Sequence, residues 1–126
     1  MSDIPTTLTA GHRQLHRLLA DHFGLEVEDE WPAGRFWIDC YSSEIHMGFE
    51  FDGEDFHASV GQRRRDAERD AEILEEHGVP IFRVTAEDLK VRSRADLIQR
   101  IETFMDQYGD DIRDRRLIHA RTEAGA

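Results

Sequence analysis

Apolar and polar positions alternate with period two over residues 36–41 and again over 45–52, so the chain predicts an antiparallel hairpin at its centre. In the first strand, Phe36, Ile38 and Cys40 share one face, and Trp37, Asp39 and Tyr41 the other. In the second, Ile45, Met47, Phe49 and Phe51 point one way and His46, Gly48, Glu50 and Asp52 the other. Elsewhere the period is helical. Leu15, Leu18, Leu19 and Phe23 predict a helix over 9–23, with Thr7 or Thr9 as its cap. Ser59 and Gln62 have the spacing of a capping box that opens a helix running to Gly78.

The remaining segments complete an α/β pattern. "LEVEDEW" reads as a short strand and "VPIFRV" as a buried one. Thr85 and Asp88 suggest a capped turn. Ser93 and Asp96 open a last helix whose Leu97, Ile101, Phe104 and Tyr108 form one apolar stripe. The order is helix, strand, hairpin, helix, strand, helix, which predicts an α/β sandwich around a mixed sheet, in a single domain. Its core spans about 9–108, and a charged tail over 109–126 frays or adds a helix.

Composition narrows the class. Charged residues make up 34% of the 126 and the formal net charge is −11, which opposes general binding to a phosphate polymer. Arginines nevertheless cluster in "QRRRDAER" and "RDRRLIHAR", leaving room for phosphate contact at one place. No apolar run is long enough to cross a bilayer and no secretion signal opens the chain, so no membrane partner is expected. The single cysteine, Cys40, fits a reducing cytoplasm and sits on the apolar face, where it reads as core.

The polar face of the hairpin carries the candidate chemistry. If the faces of the two strands coincide, Asp39, Glu50 and Asp52 converge. Carboxylates so close raise one another's pKa unless a cation lies among them. Hard oxygens suit Mg²⁺, with Mn²⁺ as substitute. His57 follows on the loop and could assist a water. Asp66, Arg69 and Asp70 lie on one stripe of the following helix. Two acids at i, i+2 are also what the wet face of a strand looks like, and "RRRDAERDAEILEE" is also an ordinary exposed helix.

"FWIDCY", "FEFDG", His57, "RRDAER" and "HGVPIFRVTAEDL" together resemble the PD-(D/E)XK nuclease superfamily, and within it the branch of very short patch repair endonucleases. The resemblance covers roughly residues 10–105. It implies a restriction endonuclease-like α/β/α sandwich with a mixed central sheet. Asp39 would be the first metal-binding aspartate, Glu50 the second acid, and the Phe51 carbonyl a further ligand. Asp52 stands where many members place lysine, and Lys90 is the only lysine here. Base catalysis would then fall to His57 or to metal-bound water. Asp66 and Arg69 match a helical DxxR pair, and Arg83 a strand arginine. Arg65 and Arg69 would contact phosphate or brace the acids, and Glu26, Glu28 or Glu30 could complete a metal shell. The function expected is Mg²⁺-dependent hydrolysis of phosphodiester bonds, in DNA first, with a homodimer compatible. The alternatives are a catalytically silent nucleic-acid or protein-binding module on the same fold, and an RNA- or junction-specific nuclease.

Overall fold

The computed structural model describes residue 4, residues 7–53 and residues 59–125. Thr9 caps the first helix, α1 (Ala10–Arg17), its hydroxyl accepting the His12 N–H at 3.2 Å. The helix then widens into a π turn over Leu18–His22. Three antiparallel strands follow: β1 (Glu28–Ala33), β2 (Phe36–Ser42) and β3 (Met47–Phe51). Ser59 caps α2 (Val60–His77) through the Gln62 N–H at 3.0 Å, and Gly78 ends it in the left-handed conformation at φ 70°. The strand β4 (Ile81–Val84) then runs parallel to β3, completing a four-stranded mixed sheet in the order β1-β2-β3-β4. After a capped turn in which Thr85 and Asp88 exchange backbone-to-side-chain hydrogen bonds, α3 (Arg94–Gly109) and α4 (Ile112–Gly125) close the chain. The tail thus adds a helix.

Helices cover both faces of the sheet. On one, Leu15, Leu18 and Leu19 of the first helix and Leu97 and Ile101 of α3 pack on Cys40, Met47, Phe49 and Val84. On the other, Ile73 of α2 packs with Ala33, Ile38, Tyr41 and Val79. Cys40 is fully buried, as a core residue should be. No helix among the described residues is long and apolar enough to cross a membrane.

The strand faces are not those that strict alternation predicts. Ile38 and Cys40 lie in different cores, and Tyr41 joins Ile38. The cause is a local reversal shared by β1 and β2. Register is continuous on both sides of it, with Asp29 opposite Cys40 and Trp31 opposite Ile38. Between those pairs stand Glu30 and Asp39, and Glu30 lies in the left-handed region at φ 51°. Both strands therefore trade faces together: Asp29 and Cys40 look toward α1, while Trp31 and Ile38 look toward α2. The reversal falls on Asp39.

Candidate functional site

At Asp39 the sheet comes apart. β2 pairs with β3 only from Cys40–Phe49 to Ser42–Met47. Beyond Cys40 two carboxylates replace the backbone ladder. Glu50 Oε2 accepts the Asp39 N–H at 3.0 Å, and Asp39 Oδ2 accepts the Phe51 N–H at 2.9 Å. These bonds satisfy backbone donors that the departing strand would otherwise leave bare, so the acids are part of the architecture of the split. They also fix both carboxyls against each other.

That proximity has an electrostatic consequence. Glu50 is only 6% exposed. Burial, then the Asp39 carboxyl beside it, push the Glu50 pKa up to about 8, against the pull of Arg69. Arg69, from α2, pairs with Glu50 and also donates to the Trp37 carbonyl at 2.6 Å, covering an acceptor on the half of β2 that parts from β3.

Arg69 continues into a network. It reaches Asp70 at 3.3 Å, and Asp70 takes a two-pronged pair of bonds from Arg83 of β4 at 2.7 and 2.8 Å. Arg83 in turn donates to Asp52 at 2.6 Å and lies 3.9 Å from Asp66. Burial raises the Asp52 pKa, with Arg83 opposing and Asp66 and Asp70 adding to the rise. An alternating chain of acids and arginines thus runs from Glu50 to Asp52 along the helix side of the sheet.

On the other side of the split lies a cleft of about 420 Å³. Its walls include Thr9 and His12 at the start of α1, Glu30, Asp39, Phe51 and Asp52. Asp39, held by the Phe51 N–H and pressed on Glu50, also lines this cleft. Apart from the His12 imidazole its donors are oxygens, and one of its carboxyls, Asp39, is pressed against Glu50 behind the wall; a hard divalent cation suits such a set.

The predicted residues are therefore distributed in a definite way. Asp39 and Glu50 meet. Asp39, Phe51 and Asp52 share one cleft, but Asp52 is drawn to Arg83 rather than into a mutual cluster with the other two acids. Asp66, Arg69 and Arg83 belong to the bracing network. Arg65 does not: it bonds Gln62 at 3.0 Å on an exposed groove formed with Arg35 and Phe36. His57 lies outside the described residues. Lys90 pairs with Glu87 at 2.8 Å and is no part of the site. Of the three glutamates on the preceding segment, Glu30 lines the cleft. Two residues of the site were not expected. Asp70 was visible only as a member of the helical stripe, and His12 only as part of a zinc set with His16, His46 and Cys40, whose spacing matches no zinc pattern and whose cysteine lies on the apolar face.

Beside the cleft a second polar group fills the space between α1 and the sheet. Asp29 accepts from His12 Nε2 at 3.0 Å and lies 2.9 Å from His16 Nδ1 through both oxygens. Cys40 Sγ lies 3.9 Å from Asp29 Oδ1. Burial, with the charges of Asp29, Asp39 and Glu50, pushes the Cys40 thiol pKa far up.

Comparison with protein-family models, with curated proteins and with solved structures finds no match to this chain.

Proposed function

We propose that the cleft at the β2–β3 split is the active site of a divalent-cation-dependent phosphodiesterase acting on nucleic acid, DNA first, on a restriction endonuclease-like α/β/α sandwich. One observation carries the reading: Asp39 and Glu50 are locked together by backbone hydrogen bonds where the strands part, with Asp39 opening onto a cleft that also holds Asp52 and Phe51. The pair caps the backbone of the split, yet holding a buried carboxyl, Glu50, against a second one is costly, and a bound cation would offset that cost.

Asp39, Glu50 and the Phe51 carbonyl would hold Mg²⁺, which supplies polarisation of a phosphoryl oxygen and acidification of a bound water. Arg69 and Arg83 keep the acids in place. Both guanidiniums are engaged with carboxylates, and Arg65, on an exposed groove, is an arginine that would meet a flanking phosphate. Asp52 stands at the mouth of the cleft in place of a cationic side chain, so proton transfer falls to His57 or to the bound water.

The second reading is a silent nucleic-acid or protein-binding module on the same scaffold. The net charge of −11 and the two arginines already spent on carboxylates favour it. The test is incubation with supercoiled plasmid, single strands, RNA and branched junctions in Mg²⁺, Mn²⁺ or EDTA, with Asp39→Ala alongside. The enzyme reading expects metal-dependent cleavage of one of these, lost in Asp39→Ala. Intact substrates throughout would leave the binding module.

A further inference from the structure

We infer that His12, His16, Asp29 and Cys40 form a second metal site, for a borderline transition ion of the Zn²⁺ type, which clasps α1 to the sheet beside the cleft. The inference does not depend on the phosphodiesterase reading.

Topology brings the four together. His12 and His16 are four residues apart in one continuous helix, so both imidazoles leave the same face. Asp29 and Cys40 are direct partners across the β1–β2 ladder, and the face reversal at Glu30 and Asp39 turns both toward that helix. Without the reversal, Asp29 and Cys40 would not share a face with the first helix while their neighbours Trp31 and Ile38 face α2.

The chemistry and spacing fit. His12 and His16 are 6% and 4% exposed, and Cys40 is fully buried. One ligand atom from each of His12, Asp29 and Cys40 lies within 4.8 Å of the others, and His16 Nδ1 reaches the same carboxylate at 2.9 Å. Ligands bonded 2.0–2.3 Å from a tetrahedral Zn²⁺ stand about 3.3–3.6 Å from one another. The separations of 3.0 and 3.9 Å from Asp29 Oδ1 to His12 and Cys40 bracket that edge, so these three need little movement, while His16 stands outside their mutual 4.8 Å group and must swing further to complete the shell. Imidazole, thiolate and carboxylate together select Zn²⁺ or Co²⁺ over Mg²⁺. His12 is shared with the cleft, whose other donors are oxygens, so the imidazole–thiolate set distinguishes this cluster.

The competing account is a plain hydrogen-bonded network in which Asp29 ties two histidines to the sheet. Cobalt separates the two. The full chain, stripped with chelator and titrated with Co²⁺, should take up one equivalent with a tetrahedral ligand-field spectrum and a thiolate-to-cobalt charge-transfer band. Cys40→Ala should abolish that band, and His16→Gln should weaken Co²⁺ and Zn²⁺ binding at least ~10-fold. Asp52→Asn, in the cleft but away from Cys40, should leave the band intact, which keeps the result independent of the cleft. Wild-type protein without a thiolate band overturns the inference whether or not the variants fold. So does a spectrum unchanged by Cys40→Ala, or one lost in Asp52→Asn.

Discussion

Glu50 and Asp39 hold each other across the point where β2 and β3 part: Glu50 Oε2 accepts the Asp39 N–H at 3.0 Å, and the two carboxyls press together. The same contact that ends the ladder keeps a proton on Glu50 beside Asp39, and a cation binding there must displace it.

Glu50 accordingly ties stability to pH. Its pKa rises from an ordinary 4.5 to about 8 on folding, so between those values the folded state holds a proton that the unfolded chain has lost. The stability this contributes is complete below pH 4.5 and disappears as pH climbs through 8. The metal-free wild type should therefore melt progressively lower across that window. Glu50→Gln should flatten the slope, because the amide cannot ionise. Parallel Tm–pH curves for the two proteins would show that Glu50 holds no such proton.

Asp52 behaves differently. Repulsion among carboxylates alone would make Asp52→Asn neutral or stabilising, but its bond to the largely buried Arg83 reverses the sign. The metal-free variant should lose about 0.5–1.5 kcal/mol in urea denaturation. Mn²⁺ at a hundredfold excess over its Kd adds roughly 2.7 kcal/mol to a folded state that alone binds it, or about 5 °C in Tm or more. Asp39→Asn should lose that increment and Asp52→Asn should keep part of it. The exposed Asp106→Asn, on α3, should keep it all. Equal shifts in every variant would mean that the ion only screens the surface charge.

Much of this was legible in the residues, for physical reasons that can be named. Ser59–Gln62, Thr9 and Gly78 mark helix ends because their side chains or permissive backbone act locally. The hairpin acids stood out because polar residues on an aromatic strand need a reason. The faces of β2 were not legible, since the reversal rests on Glu30, a residue with no sequence mark for a left-handed conformation. That same reversal hid the neighbourhood of Asp29 and the first helix's histidines, although Cys40 is core, as its apolar strand face suggests. Asp70 was missed because its role depends on Arg83, which arrives from a strand thirteen residues later.

Gly11 tests how the first helix supports the site. A Cβ at this position would lie 2.1–2.5 Å from ring carbons of Phe51. The ring must move in Gly11→Ala, on a residue whose backbone N–H holds Asp39. The variant should lose about 1–3 kcal/mol from overpacking. It should also lose more of its Mn²⁺ melting shift than a core variant of equal stability, such as Ile101→Val. A shift that stays intact would place Phe51 outside the cation site.

Arg115 offers the converse case, a residue that should matter for folding and not for the cation. Its guanidinium is 4% exposed and ties α4 to four backbone carbonyls. It donates to His46 and, at 2.9–3.1 Å, to Ile45, Gly78 and Tyr108, and it pairs with Asp111 at 2.8 Å. Arg115→Ala strips donors from buried acceptors that water cannot easily replace, so it should cost roughly 3 kcal/mol or more. Arg115→Lys should recover part, because an ammonium has three donors but not the planar fork. These acceptors cluster at the β2–β3 turn and the end of α2, whereas Asp39 and Glu50 stand at the opposite end of the hairpin. The Mn²⁺ shift should therefore survive in the folded fraction of both variants. Loss of that shift in Arg115→Lys would mean that α4 positions the site through α2, making the closing helix part of the functional unit rather than a brace for the sheet.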